Sequence, residues 1–335
     1  MKRLLSIALV LVLLFALAPS VFAADYPARD INMIIFSAAG GGTDLANRAL
    51  AAEMAKTLGV NIPASNMEGA SGGVAANYVQ GKAHDGYNLL GISEGLFPLA
   101  VLNCAEFTHG DWEYFILGGT PGLISVSVDS PYQTVEEVVE AMKANPGKIT
   151  LANSQVGCIW DIKAALFKQA TGVEYQFMAY QGSNPSILAC LNGEVDVIIT
   201  GYGEQSEYLK AGKLRPLAVM EQEGAEIAGV GYVESVVKAI PELDGVIGSV
   251  GQSVGFAVPS DVGEDVLAAL TDAFLAALES DSVKEYCETK YLTMTGLVGE
   301  EAKAVAADME SVFSWLLYEN GVATISPEEF DIPKP

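Results

Sequence analysis

The stretch Ile31-Asn32-Met33-Ile34-Ile35-Phe36-Ser37-Ala38-Ala39-Gly40-Gly41-Gly42-Thr43-Asp44 passes from an apolar run straight into glycines. A short apolar run bounded by turn residues reads as a buried strand. Beyond the glycines, Leu45, Ala46, Ala49, Leu50, Met54 and Leu58 recur at helical spacing, and Gly59 ends the helix. Strand, glycine loop and helix in that order open an α/β sheet. Working outward, the pattern repeats. A short strand over 60–64 leads to a second loop, Glu68-Gly69-Ala70-Ser71-Gly72-Gly73, then a helix over 74–80, a turn at Asp85-Gly86 and a strand over 87–92.

After the cluster Gly118-Gly119-Thr120-Pro121-Gly122 the alternation resumes, with strands expected at 123–128, 149–152, 175–179 and 195–199. Thr134 and Glu137 form a capping-box pattern for one intervening helix, and further helices are expected at 159–171 and 185–191. A second glycine-rich crossing spans 245–255. The tail reads as helical, with Asp261/Glu264 and Ser282/Glu285 as further capping boxes. Two crossings between two α/β halves imply two lobes: residues 24–120 with 255–335, and residues 121–254. Ligands of open α/β sheets sit beyond the carboxyl ends of strands, so two facing lobes offer one shared cleft.

The 335 residues suit about two domains, and a 50% hydrophobic content excludes extended disorder. Acidic residues number 42 against 18 basic, a net charge of −24, which argues against nucleic acid and against anionic lipid as partners. Lys2 and Arg3, the apolar run 4–18 and Val21-Phe22-Ala23 describe a secretory signal peptide over residues 1–23, cut after Ala23. Its removal leaves 16 basic residues and a net charge of −26. Export permits disulfides, but Cys104, Cys158, Cys190 and Cys287 lack a C-x-x-C spacing. Free buried thiols and bridges both remain open; bridges that keep within the lobes pair Cys158 with Cys190 and Cys104 with Cys287.

A helix N-terminus exposes unpaired N–H groups with about half a positive charge, and glycines let a ligand approach them closely. The two glycine loops are therefore candidate anion cradles, although tight strand-to-helix turns use glycine for structural reasons too. No G-K-[ST] follows the glycines, and Leu45 stands where a dinucleotide fingerprint needs glycine or alanine, so neither a phosphate loop nor NAD is expected. Residues 69–73 satisfy G-x-S-x-G, which makes an exported serine hydrolase with Ser71 as nucleophile the alternative. The only histidines, His84 and His109, leave little room for the usual Ser, acid, His order. Two histidines and scattered cysteines suggest no metal site.

The stretch 31–48 resembles the opening of the extracytoplasmic receptors of tripartite tricarboxylate transporters, the Bug-type proteins. Matching motifs follow in order: Asn66, Gly69-Ala70 and Gly72, Asp85-Gly86-Tyr87, Ala144-Asn145-Pro146-Gly147-Lys148, Ala152-Asn153-Ser154, Tyr180-Gln181-Gly182, and Lys210-Ala211-Gly212-Lys213-Leu214-Arg215. The resemblance implies a two-lobed periplasmic-binding-protein fold (Venus flytrap, type II) with two crossover strands. It implies a monomeric, non-enzymatic receptor, without a cofactor, that hands a carboxylated or amino-carboxylated solute to membrane permease subunits. The family's carboxylate grip falls on Ala39, Gly40, Gly41, Gly42, Thr43 and Asp44 and on Gly69, Ala70, Ser71 and Gly72. Contacts from the second lobe fall on Ser154, Gln155, Gln181 and Gly182. A receptor presenting the same ligand to a membrane sensor kinase would share this site. No Lys or Arg lies in these loops, so N–H dipoles must do the neutralising. Asp44 has two readings, a pair with Arg48 four residues on or a direct role toward the ligand. The chain departs from the family pattern at Phe36-Ser37, Glu68, His84 and Thr200. Glu68 beside an anion cradle implies either a ligand with a compensating amino group or a side chain facing water. Trp160, Tyr180 and Tyr202 are candidate floors for an aromatic acid or plain core residues.

Overall fold

The computed structural model describes residues 26–180 and 182–335; the leader with its cut after Ala23, and Gln181, lie outside the described residues. In chain order, β1 (Asn32–Ile35), α1 (Gly42–Leu58), β2 (Ala64–Asn66), α2 (Gly73–Gln80), β3 (Asn88–Ile92) and β4 (Trp112–Gly119) come first. Then follow β5 (Gly122–Ser127), α3 (Val135–Ala144), β6 (Thr150–Asn153), α4 (Ile159–Thr171), β7 (Gln176–Ala179), α5 (Ser183–Leu191), β8 (Val197–Gly201), α6 (Tyr202–Lys210) and β9 (Leu214–Val219). A hairpin of β10 (Ala225–Ile227) and β11 (Gly231–Val233) and the short α7 (Val236–Ala239) lead to β12 (Val254–Pro259). The chain ends with α8 (Glu264–Leu278), α9 (Asp281–Thr289), β13 (Thr293–Val298) and α10 (Gly299–Glu319).

Besides the β10–β11 pair, two larger sheets result, ordered β13-β4-β12-β3-β1-β2 and β7-β6-β8-β5-β9. Apart from the edge strand β13, they share one plan: second, first and third strands of the half, then an inserted strand, then the fourth. The inserted strand is in each case the first one after a crossing, β5 in one sheet and β12 in the other, and it runs antiparallel to both neighbours. This is the two-lobed α/β architecture of periplasmic binding proteins.

β1 shows why its run is apolar from Met33 onward, past the exposed Asn32. Met33 and Ile35 belong to a core shared with α1 and α8, while Ile34 and Phe36 face the other core, with α2 and the segment 94–101. Burying each such side chain contributes about 1.5–3 kcal/mol, so a strand covered on both faces selects apolar residues at every position.

The crossings admit no side chain where they touch. A Cβ at Gly119 would stand 2.0 Å from the Gln252 carbonyl oxygen, and one at Gly255 would stand 1.9 Å from that of Phe115. The Gln252 side chain also accepts from the Thr120 N–H at 2.9 Å, tying the two crossings together.

Several local expectations are corrected. The strand expected at 60–64 is β2, which starts four residues later, because parallel pairing sets Met33 opposite Ala64 and Ile35 opposite Asn66. The tail is not all helical: β12 and β13 enter the first sheet on either side of β4, itself buried from Trp112 to Leu117. The Thr134 hydroxyl does cap α3 by accepting from the Glu137 N–H. Asp261 instead pairs with His84, leaving Gly263 before α8, and Ser280 rather than Ser282 caps α9. All four cysteines are free. Of the two open readings the free thiols hold, and neither lobe-internal bridge forms because the partners pack in different clusters: Cys158 apart from Cys190, and Cys104 apart from Cys287.

Candidate ligand-binding site

Residues just beyond the carboxyl ends of β1, β3, β6 and β7 line one recess: Ser37 and Ala38, Ser93 and Glu94, Ser154 and Gln155, Gly182 and Ser183. The place is the one strand polarity selects in open α/β sheets. Three helices begin at its wall. Their N-cap residues, Gly41 for α1, Cys158 for α4 and Gly182 for α5, all line the recess, and none makes a side-chain capping bond. Each end thus presents backbone N–H groups and a positive dipole end to the same space.

The first glycine loop is held from behind. The Asp44 carboxylate, 2% exposed, accepts from the Gly40 N–H, the Arg48 Nε and the Asn66 Nδ2, each at 2.8 Å. Asn66 Nδ2 also donates to the Ser37 carbonyl at 2.9 Å. Of the two readings of Asp44, the pair with Arg48 is therefore formed, and the carboxylate shapes the loop.

Two carboxyl groups of the protein enter the recess. Glu94 accepts from the Ile159 N–H at the start of α4 and from the Ser253 N–H in the second crossing, both at 3.1 Å. Burial pushes the Glu94 carboxyl up to about 7, and the nearby Glu204 adds to the rise. Glu204, in the first turn of α6, is likewise raised by burial, and its Oε2 is buried without a hydrogen-bond partner. No Lys or Arg is among the residues lining this recess. Gly42, Glu204 and Gln252 separate it from a larger outer recess, walled by Leu45, Tyr208, Tyr286 and Leu292, with Lys290 at its edge.

The structure gathers Gly41, Gly42, Thr43, Ser154, Gln155 and Gly182 around the inner recess, while Gly40 faces the outer one and Ala39 is exposed. Gly69, Ala70, Ser71 and Gly72 line neither. The Phe36 ring stands between them and the recess: a Cβ at Gly72 would lie 2.2 Å from Phe36 Cδ2. Glu68 is exposed, the second of its two readings. His84 bonds Asp261 and His109 bonds Glu310, so neither histidine serves Ser71. Trp160 lines the inner recess, Tyr202 stacks on Tyr291, Tyr180 packs at the edge of the core around Ile187, and the Thr200 hydroxyl accepts from Gln205. Sequence reasoning missed Glu94, Ser183, Glu204 and Gln252. Glu94 follows β3 by two residues and Glu204 follows β8 by three, so the strand-end rule itself was the available signal.

Residues 46–303 match the family described as the tripartite tricarboxylate transporter family receptor. The chain is 26% identical to protein BugT of Bordetella pertussis over 336 residues, covering 96% of this chain and 98% of that one. A TctC solute-binding protein from Polaromonas, 27% identical, superposes with a TM-score of 0.67 over 88% of this chain and 99% of its own. MatC from Rhodopseudomonas palustris with bound malate, 22% identical, shares the fold with a TM-score of 0.76 over 87% of this chain and 100% of its own. A family match across most of the chain, on a two-lobed fold whose recess is built from helix N-termini, leads to one conclusion: this solute-binding protein belongs to the receptors of the tripartite tricarboxylate transporter family.

Proposed function

We propose that the protein captures a small carboxylate or amino-carboxylate in the inner recess and delivers it to the membrane permease subunits of a tripartite transporter. The observation that carries this reading is the meeting of three helix N-termini, α1, α4 and α5, around a space without Lys or Arg. Such an arrangement receives an anion through backbone N–H groups and dipoles. Gly41, Gly42 and Thr43 supply the grip from one side; Ser154, Gln155 and Gly182 close on the ligand from the other. Residues 24–120 with 255–335, and residues 121–254, act as the two lobes about the glycine-lined crossings. Malate bound to MatC is consistent with a ligand of this size and charge.

Cleavage after Ala23 and a periplasmic, monomeric receptor complete the proposal. No helix among the described residues is long and apolar enough to cross a membrane. A thermal-shift screen of the purified protein against carboxylates, amino acids and aromatic acids tests it. A ligand at a hundred times its dissociation constant adds about 2.7 kcal/mol of stability. A carboxylate among the hits, lost on shortening the glycine loop, is expected. Silence from every carboxylate refutes the reading.

A further inference from the structure

One carboxyl group ties the two large sheets together. Glu94 follows β3 of the six-stranded sheet, and both of its oxygens are engaged across the gap. Oε1 accepts the Ile159 N–H at the head of α4, the helix after β6 of the five-stranded sheet, and Oε2 accepts the Ser253 N–H in the second crossing, each at 3.1 Å. The segments around these bonds fit closely. A Cβ at Gly95 would stand 3.2 Å from Gln155 Nε2, and one at Gly157 would stand 2.9 Å from Leu102 Cδ1 and 3.2 Å from Pro98 Cγ. Glycine on each side of the contact lets residues 94–102 and 155–159 meet, and Glu94 is left 2% exposed. A second set of contacts joins α6 to residues 290–291: a Cβ at Gly203 would lie 2.5 Å from the Lys290 carbonyl oxygen, and the Tyr202 and Tyr291 rings stack at 4.0 Å. Glu94 is the only carboxyl among these contacts.

A carboxylate at this place has no cation of its own. Lys163, further along α4, is paired with Glu221 and the Met220 carbonyl. Asp161, in the first turn of α4, accepts from the Gly157 N–H and from Asn153 Nδ2, and the Cys158 thiol at the N-cap faces the Ser154 hydroxyl. Glu204 of α6 adds a second acid to the same recess. Parting the sheets breaks both N–H bonds and returns Glu94 to water, whereas bringing them together strips that water away. The two N–H bonds favour the charged form, yet burial outweighs them, and with Glu204 nearby the carboxyl is pushed up to about 7.

Resting on the receptor reading above, we infer that Glu94 is a positioning residue, a clasp that holds the two lobes closed over the recess and takes up a proton as it closes. The Ile159 N–H is thereby reserved for closure and not for the solute. The sign follows from linkage. A carboxyl held at about 7 when closed, against 4.5 in water, stabilises the closed form at low pH, and the effect is lost as pH rises through about 7. The ratio of closed to open protein should fall about tenfold between pH 6 and pH 8.

Small-angle X-ray scattering of the full ligand-free protein from pH 5.5 to 8.5 reads the separation of the lobes. The infrared stretch of a buried protonated carboxyl, taken as wild type minus Glu94→Gln, reads the proton. The radius of gyration is expected to grow as pH rises through about 7, while the infrared band fades over the same interval. Glu94→Gln, which cannot ionise, should show no such transition; Glu204→Gln, which removes the neighbouring charge, should move it to lower pH. Glu68→Gln, exposed and outside both recesses, should leave it in place. A transition that survives in folded Glu94→Gln overturns the assignment to Glu94. A wild-type radius that stays flat, or that shrinks as pH rises, overturns the clasp whether or not any variant folds. The carboxylate screen, which tests the receptor reading, succeeds or fails independently of these results.

Discussion

Replacing Asp44 separates the shape of the first glycine loop from the stability of the lobe that carries it. The Asp44 carboxylate has three partners, all donors: Arg48 Nε and Asn66 Nδ2 on one oxygen, the Gly40 N–H on the other. An asparagine has one oxygen and one NH₂ group, so it must turn a donor toward a donor somewhere. The least costly choice keeps the oxygen on Arg48 and Asn66 and points the NH₂ at Gly40, whose exposed N–H can turn to water. Hydrogen bonds to charged groups contribute about 1.5–3 kcal/mol each. However, Arg48 retains the Ala64 carbonyl and Asn66 Oδ1, and Asn66 Nδ2 retains the Ser37 carbonyl. Asp44→Asn should therefore cost about 1–2 kcal/mol, and Asp44→Ala, which takes this acceptor from all three donors, about 3 kcal/mol. For a chain of this size the alanine variant melts about 5–10 °C lower. The asparagine variant, nearly as stable as wild type, should still lose about tenfold or more in affinity for the best carboxylate, because Gly40 is released beside the N–H groups that grip it. Urea unfolding, titration of the carboxylate and hydrogen exchange at the Gly40 amide measure the three quantities. Wild-type affinity in Asp44→Asn, with fast exchange at Gly40, would refute the claim that this carboxylate shapes the cradle.

Gly72→Ala places a Cβ 2.2 Å from Phe36 Cδ2 at a φ of +105°, so a loss of about 3 kcal/mol is expected. Phe36→Leu in the same chain should recover more than about 0.5 kcal/mol of it in a double-mutant cycle, and strict additivity would remove the steric explanation. Lys163, fully buried, bonds Glu221 at 2.5 Å and the Met220 carbonyl at 2.6 Å, while Glu221 also accepts the Gly122 N–H at the crossing. Lys163→Met should cost about 3 kcal/mol by urea unfolding, and adding Glu221→Gln should restore part of it; an indifferent single variant would show the pair to be dispensable. The folded state also holds the Glu94 proton more tightly than the unfolded chain, which releases it near 4.5 against about 7 in the fold. Stability is then lost as pH rises through this window, by up to about 3 kcal/mol in total, and the raised Asp161, Glu204 and Glu310 act in the same direction. Ligand-free urea midpoints at pH 5, 6, 7 and 8 should fall steadily, and midpoints that climb with pH would contradict the burial of these acids.

Much of the first half was legible because its signals are local. The run 31–36, the loop 37–44 and the periodic apolar positions of α1 each state their own structure through period, turn chemistry and length. The reading failed where pairing with distant strands decides. β2 starts four residues beyond its expected start because its register is set by β1, and β13 reads as helix from sequence because its apolar residues acquire meaning only beside β4. The capping residues of α8 and α9 were displaced for a similar reason, since Asp261 is drawn to His84 and Ser282 to Glu53.

The sequence by itself determined the α/β alternation, the two crossings, the family resemblance and the glycine loop between β1 and α1, since each is written in local stretches of residues. Only the tertiary structure decided which loops meet. Glu94 and Glu204 lie 110 positions apart; each follows a strand end, but only the fold brings the two into one recess. The second glycine loop looks like the first in sequence, yet it is set behind Phe36 by the close approach that Gly72 permits. Local signals report the conformation of a segment, whereas the chemistry of a cleft depends on which segments the two sheets bring face to face and on the burial that results.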